Sequence, residues 1–397
     1  MSSFKKIRRK FKQSVRQLVY SLTDFRMNRH VEITDNTLVI VKSDLIGDYI
    51  LFRNFLPYIK QSEKYKNYKI ILIGNAVWKN IAETLDATYY DEMIWVSFDR
   101  LYNDLSYRSS VIKNILSKGY KTLFYPVYSG DRYAEQFFIS KINAEEKIKY
   151  LDVSSDTSDQ NGLFNVLLKT KRPDLFEVYR YKEMMETFLG TPDNAFQWRT
   201  LYSPTHVPQY IFPKPYVVFF PGSSARLKRW HPSNFIHVAN HLMKHSDYNI
   251  VLAGGKKDSK YAAAITSGIE EQYRNRLEDL TGKTSLMDLA YTIGHSELLV
   301  TNDSVSIHMA AATNVPAICV FMGENYGRFA PYPKEIYDKG VFLCPPDVEE
   351  LVKQEEGKVA FLSLDYNPDI DAISPARVIV SMEEIWSKKQ KEFYLSS

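Results

Sequence analysis

Leu298–Phe321 reads LLVTNDSVSIHMAAATNVPAICVF, and the order of its residue types decides the fold. The apolar run Leu298–Thr301 stops at Asn302-Asp303-Ser304. Small residues from Ser306 to Thr313 follow, then Pro316 and a second apolar run. This order predicts strand, tight polar loop, helix, strand, with Asp303 or Ser304 capping the helix. A helix that starts at the carboxyl end of a parallel strand presents unpaired N–H groups and a partial positive charge, which suits phosphate. Taken alone, the stretch is better read as an ordinary capped βα turn.

The bland reading weakens because the arrangement recurs. Tyr216–Phe220 ends in Pro221-Gly222-Ser223-Ser224, followed by Arg226, Lys228, Arg229 and Trp230. Asn249–Ala253 ends in Gly254-Gly255-Lys256-Lys257-Asp258, and Ala317–Phe321 ends in Met322-Gly323-Glu324-Asn325. Four consecutive apolar strands, with helical patterns between them, place these loops along one edge of a parallel sheet, where a crevice forms. Glycines let the backbone approach a ligand, and lysines supply point charges for phosphate. This half reads as a nucleotide-diphosphate site.

The first half follows the same α/β logic. Thr37–Val41 is a strand, followed by Lys42-Ser43-Asp44-Leu45-Ile46-Gly47-Asp48 and a helix through Tyr58. Lys69–Ile73 reads as a second strand and Lys121–Tyr125 as a third, ending in a loop that carries Asp131 and Arg132. Residues 152–175 are polar and read as an irregular excursion. Phe176–Leu189 reads as a helix closed by Gly190, and the proline-dotted stretch Pro192–Pro215 as a linker between two doubly wound domains. The tail Pro375–Phe393 is helical in pattern.

Composition bounds the function. A chain of 397 residues suffices for two domains, and 45% hydrophobic with 25% charged residues is ordinary for a globular protein. The 14% aromatic share suits a protein that handles sugars or an apolar surface. Cys319 and Cys344 lie in or beside apolar runs, so they read as buried free thiols in a reducing compartment. No apolar run reaches membrane-spanning length, and no secretory apolar segment follows the basic start.

That basic start is distinct. Residues 1–30 hold nine Lys or Arg against Asp24, a net of +8; with +4 for the whole chain, the remainder nets −4. Phe4, Ile7, Phe11, Val15, Leu18 and Leu22 recur at intervals of three and four. Residues 4–22 therefore read as a basic amphipathic helix able to lie on an anionic membrane surface. Packing of one face on the domain is the competing reading. A nucleic-acid arm is disfavoured because no base-reading module accompanies it.

Three motifs together carry a family resemblance: Gly47-Asp48 after a strand, Lys228-Arg229-Trp230 after PGSS, and the NDS…His308 block with AAATNVP. Their order and spacing over roughly residues 36 to 335 resemble the heptosyltransferases of lipopolysaccharide synthesis, glycosyltransferase family nine. The resemblance implies a GT-B architecture, two doubly wound Rossmann-like domains facing across a cleft. It divides the chain into a leader (1–30), an acceptor-side domain (31–200), a nucleotide-sugar domain (201–374) and a C-terminal helix (375–397). It further implies inverting, metal-independent transfer of a sugar, commonly heptose, from a nucleotide diphosphate donor such as ADP-heptose to a lipopolysaccharide-core or related glycolipid or oligosaccharide acceptor. No cofactor and no nucleic-acid partner are implied. The expected location is the cytoplasm, peripheral to the inner face of the cytoplasmic membrane.

Inverting transfer needs a carboxylate to take the acceptor's proton and cations to neutralise the leaving diphosphate. The resemblance gives the first role to Asp48, for which an N-cap is the local alternative and Asp44 the competing carboxylate. It places Lys228 on the diphosphate, with Gly222, Ser223, Ser224 and the Ser304–Ser306 helix start in support; the alternative for Lys228 is a solvated surface lysine. Asp258 falls where the family binds the donor ribose, which is also where a second-strand acid would do so. Asp303 holds donor hydroxyls or the loop itself, and His308 lies on the helix turn behind. Trp230 reads as packing. Arg132 is a candidate clamp on the acceptor, with an ion pair to Asp131 or Glu135 as the alternative. Val305 departs from the family, which usually has glycine there for close phosphate approach.

Three patterns are set aside. His237, His241 and His245 share a helical spacing but no further ligand follows. Asp369-Ile370-Asp371 follows Asn367-Pro368 and reads as loop, and no GxxxxGK[ST] loop is present. A nucleotide-sugar epimerase or a catalytically weak nucleotide-sugar-binding protein of the same fold is the competing function.

Overall fold

Strands whose side chains are apolar at every position need cover on both faces, and such runs nucleate two parallel sheets in the computed structural model. The structure describes residues 31–127, 138–151, 163–169, 172, 175–190, 196–354 and 368–396 (side chains only to 388 at the end). These residues fall into two units. One holds 31–49, the described residues between 55 and 172, and 181–190; the other holds 50–54, 175–180 and 196 onward.

The first unit contains β1 (Ile33–Lys42), β2 (Lys69–Asn75), β3 (Glu92–Val96), β4 (Gly119–Tyr125), β5 (Asn143–Leu151) and β6 (Val166–Lys169). They lie in the order β3-β2-β1-β4-β5-β6, and every pairing is parallel. The second unit contains β7 (Tyr216–Phe220), β8 (Asn249–Leu252), β9 (Leu277–Asp279), β10 (Leu298–Asn302), β11 (Ala317–Val320) and β12 (Gly340–Leu343). Its order is β12-β11-β10-β7-β8-β9, again all parallel. In both sheets the order in which strands are added reverses at the first strand. That switch point lies between β1 and β4 in one and between β7 and β10 in the other, where ligands bind in doubly wound folds.

The structure corrects the strand inventory. Lys121–Tyr125 belongs to the fourth strand in chain order, because Glu92–Val96 forms β3 before it. Within residues 152–175, expected to be irregular, Val166–Lys169 forms β6. The second sheet has six strands rather than four, and β9 separates two that read as consecutive. The first helix begins at Ile46 and ends at Phe52, with a 3-10 turn and a further helix, Leu56–Gln61, continuing the path.

Each sheet has its own core. Val39, Val41, Ile71, Ile73, Leu123 and Tyr125 pack with Ile112, Ile115 and Phe138 in the first. In the second, Val217, Phe219, Leu298 and Val300 pack with Trp230, Phe235, Leu242 and Met382. Burying each such side chain contributes about 1.5–3 kcal/mol relative to exposure. The helix Pro375–Ser396 supplies Val378, Ile379 and Met382 to the second core. Asp369-Ile370-Asp371, expected to be plain loop, contains a 3-10 turn, Ile370–Ala372, in which Asp369 caps the Asp371 N–H. Asp371 in turn accepts from the His231 N–H at 2.7 Å, pinning the start of the helix Pro232–His245. His241 on that helix faces Glu383 at 3.3 Å. Cys319 and Cys344 are buried free thiols, both with pKa values raised by burial. No helix among the described residues is long and apolar enough to cross a membrane. The leader 1–30 lies outside the described residues.

Candidate functional site

At the switch point of the second sheet, β7 and β10 run side by side, with Leu299 opposite Val218 and Thr301 opposite Phe220. Their register brings Pro221-Gly222-Ser223-Ser224 against Asn302-Asp303-Ser304. The buried Asn302 amide stitches the two loops, donating to the Pro221 carbonyl at 2.7 Å and accepting the Trp230 N–H at 3.1 Å. Trp230 is fully buried and donates its indole N–H to the Ile373 carbonyl. Packing is its role here, as its sequence context suggests.

Lys228 closes the 3-10 turn Arg226–Lys228. Its Nζ lies 2.9 Å from Asp303 Oδ2 and 3.3 Å from Glu324 Oε2, and its side chain is only 18% exposed. The solvated-surface alternative for this lysine is therefore set aside. Burial works against its ammonium, but the Asp303 and Glu324 carboxylates outweigh that and raise its pKa above the ordinary lysine value. Asp303 is held at both ends of its peptide: its N–H donates to the Val320 carbonyl, and its carbonyl accepts from the Ser223 hydroxyl at 3.2 Å. Ser224 is exposed beside it.

Arg229 donates from Nε and Nη2 to the Ser223 carbonyl at 2.8 and 2.6 Å, and its guanidinium lies 3.6 Å from Asp258 Oδ1. Asp258 Oδ2 accepts the Gly255 N–H at 2.9 Å. The close approach explains Gly222: a Cβ at that position would sit 2.3 Å from Asp258 Oδ2. Ser223, Lys228, Asp258 and Asp303 are thus brought into one connected set of loops.

Of the two cap candidates, Ser304 occupies the N-cap position of the helix Val305–Thr313, but its side chain makes no cap hydrogen bond. Its hydroxyl turns instead to Ser306 at 2.7 Å, and Ser306 to Thr301 at 2.5 Å. The helix start is left without a capping side chain, so its first N–H groups retain their affinity for anions. Val305 is half-buried as the first helical residue. His308 lies one turn deeper, only 6% exposed, and is hydrogen-bonded through Nδ1 to the Tyr332 hydroxyl at 2.5 Å. Burial lowers its pKa to about 4, so the imidazole is neutral at physiological pH.

In the first unit, Asp48 is the third residue of the helix Ile46–Phe52, not the residue preceding it, so it is not an N-cap. The turn before it is fastened from several sides. Lys42 Nζ contacts Asp44 Oδ2 at 2.6 Å, the Tyr181 hydroxyl at 2.7 Å and the Pro126 carbonyl at 3.2 Å. Asn75 donates to the Ser43 carbonyl, and the Trp78 indole N–H to the Asp44 carbonyl at 3.1 Å. Tyr49 stacks on Trp78 with centroids 3.9 Å apart. The competing carboxylate, Asp44, is thus committed to a buried ammonium. Arg132 lies outside the described residues.

Sequence reasoning quoted Lys42, Arg229, Asn302 and Glu324 within their motifs and loops but gave none of them a role in the site. Lys42 carried a signal, a cation ending a run that is apolar throughout. Glu324 stood in a loop already placed on the correct edge.

Two parallel doubly wound sheets, each with a switch-point loop system, define the GT-B class of two Rossmann-like domains. The sequence profile of glycosyltransferase family 9 (heptosyltransferase) matches residues 142–351, more than half of the chain. The chain belongs to glycosyltransferase family 9. It is similar to the lipooligosaccharide heptosyltransferase 2 of Haemophilus influenzae, with 28% identity over 177 residues, 44% of this chain and 48% of that one. It is also similar to the lipopolysaccharide heptosyltransferase 2 of Escherichia coli, with 29% identity over 119 residues, 30% of this chain and 34% of that one. The chain spans about half the length of the curated relatives it matches, or less. Among solved structures, the E. coli ADP-heptose lipopolysaccharide heptosyltransferase II superposes with a TM-score of 0.65 at 16% identity, covering 89% of this chain and 99% of that one. A glycosyl transferase family 9 structure from Veillonella parvula gives 0.65 at 20% identity, covering 90% and 99%. At these identities the structural likeness is one of fold.

Proposed function

We propose that this protein transfers a heptose from ADP-heptose to a lipopolysaccharide-core or related glycolipid acceptor, with inversion at the anomeric carbon and without a metal ion. The observation that carries the reading is the Lys228 ammonium, held by Asp303 beside a helix start with no capping side chain, at the switch point of the second sheet. An ammonium and helix N–H groups supply the positive charge that a leaving diphosphate requires. Gly222, Ser223 and Ser224 line the approach, Asp258 faces the ribose, and Asp303 orients donor hydroxyls. Val305 narrows the backbone approach that glycine leaves open in relatives. His308, neutral and buried one turn deeper, completes the donor-binding set from behind the helix start.

Asp48 accepts the proton of the acceptor hydroxyl as that oxygen attacks the anomeric carbon. The bond from that carbon to the diphosphate oxygen breaks as the new one forms, so configuration inverts. Arg132 is assigned to a carboxylate or phosphate of the acceptor on sequence position alone. Residues 4–22 are assigned to an anionic membrane surface, which places the protein at the inner face of the cytoplasmic membrane. A salt-sensitive loss of vesicle binding on deleting residues 1–30 tests that assignment, and undiminished binding would reject it.

The test of the function is incubation with ADP-heptose and a heptose-deficient lipopolysaccharide core, with and without excess chelator. Transfer that persists in chelator and inverts the anomer is the expected result. Transfer abolished by chelator and restored by a divalent ion, or no transfer at all, overturns it.

A further inference from the structure

Parallel strands in the order β12-β11-β10-β7-β8-β9 put the loops that leave their carboxyl ends in a row of the same order. Asp258 follows β8, Lys228 follows β7, Asp303 follows β10 and Glu324 follows β11. With Asp258 on the ribose and Lys228 on the diphosphate, an extended nucleotide-sugar runs along this row in one direction only. Its sugar then falls beyond the diphosphate, over the loop that carries Glu324. Neighbouring strands lie about 4.8 Å apart, so the three steps from β8 to β11 cover about 14 Å, a run suited to a ribose, two phosphates and a sugar ring.

The charges point the same way. Three carboxylates, Asp258, Asp303 and Glu324, surround two cations, Lys228 and Arg229. A seat for a dianion alone has no use for a third acid. A carboxylate is acceptor-only, with two oxygens that take paired hydroxyl donors, so a polyol is its natural ligand here. The backbone presents it deliberately: Gly323 and Asn325 on either side have φ of 89° and 58°, and the Tyr326 N–H closes the turn on the Gly323 carbonyl. Gly323 supplies the left-handed conformation at little cost, and Asn325 tolerates it.

We propose that Glu324 reads the donor's sugar. It shares Lys228 with Asp303, yields the lysine to the diphosphate, and accepts hydrogen bonds from sugar hydroxyls in exchange. The proposal rests on the nucleotide-sugar reading of this site and adds, beside Asp303, a second carboxylate by which the site tells a nucleotide-sugar from a bare nucleotide.

The experiment titrates ADP and ADP-heptose into wild type, Glu324→Gln, Glu324→Asp and Lys228→Ala by calorimetry. Glu324→Gln removes the competitor for Lys228, so ADP should bind more tightly, while the preference for ADP-heptose over ADP falls about tenfold, the scale of a charged hydrogen bond. Glu324→Asp keeps the charge but shortens the reach. It should leave ADP affinity near wild type and still lose the preference. An equal shift for both ligands in Glu324→Gln, or no shift, overturns the role of Glu324. If Lys228→Ala leaves ADP affinity intact, or wild type binds neither ligand, the donor-site reading fails instead and this inference falls with it.

Discussion

The two sheets share one strand order and each places a lysine near its switch point, yet the two lysines differ in kind. Lys42, at the end of β1, is fully buried and surrounded by acceptors from its own turn, from the segment after β4 and from a helix. Lys228, beyond β7, remains 18% exposed and faces two carboxylates on neighbouring loops. A fully desolvated ammonium is committed to the fold, since removing its partner leaves an uncompensated charge. A partly exposed one keeps a path by which an anionic ligand can reach it. The same topological position thus serves rigidity in one unit and, on the function proposed above, ligand exchange in the other.

Substitutions can break this contrast. The largest effect is expected at the turn that Lys42 fastens: Asp48→Asn should reduce turnover by about 10²–10⁴-fold, the range for general-base catalysis, with ADP binding unchanged. Steady-state kinetics beside calorimetry checks it, and retained turnover would remove Asp48 from the chemistry. Lys42→Met should lower unfolding stability by about 3–5 kcal/mol, because Asp44 loses its buried partner. Chemical denaturation reads this, and a loss below about 1 kcal/mol, typical of surface pairs, would show that Lys42 is no more committed than Lys228.

Lys228→Ala should show the opposite profile. ADP affinity should fall by about 1.5–3 kcal/mol with little change in stability, and a bare nucleoside should scarcely notice. Equal losses for ADP and nucleoside would make Lys228 a folding residue like Lys42. The most gradual effect, spread over a pH range, concerns His308. Its folded pKa of about 4 lies below the ordinary 6.5, so between these values the unfolded chain binds more protons. Stability therefore declines as pH falls from 6.5 towards 4, by at most about 1.4 kcal/mol per pH unit from this group. His308→Gln should flatten that part of the pH–stability curve, and an unchanged slope would mean that other groups set it.

The contrast between centre and edge explains how much was legible beforehand. β7, β10 and β11 are buried at every position; β7 and β11 are unbroken apolar runs, and β10 turns polar only at its last two residues, Thr301 and Asn302. β3, β6 and β9 are largely half-exposed, and their Glu92, Lys169, Glu278 and Asp279 shorten the run that would announce a strand. For the candidate site, Lys228, Asp258 and Asp303 could be named because each follows a legible strand. Lys42 paired with Tyr181, and His308 with Tyr332, could not: these partners come from distant elements with no shared period. Glu324 was visible as a loop residue, but its contact with Lys228 depends on β11 lying next to β10, a fact of sheet order rather than of local pattern.

Gly222 and Asp258 also constrain how this protein can change over generations. The space above Gly222 is already filled by the Asp258 carboxylate, which is itself fixed by the Gly255 N–H. A side chain at 222 therefore displaces the Asp258 carboxylate from the Gly255 N–H, a cost that any new donor preference gained there has to exceed. A shorter residue at 258 would avoid that cost, though it removes the acid proposed above to face the ribose. Random libraries covering both codons should therefore recover occupied 222 mainly in clones that have also replaced Asp258, so the two positions tend to be inherited together.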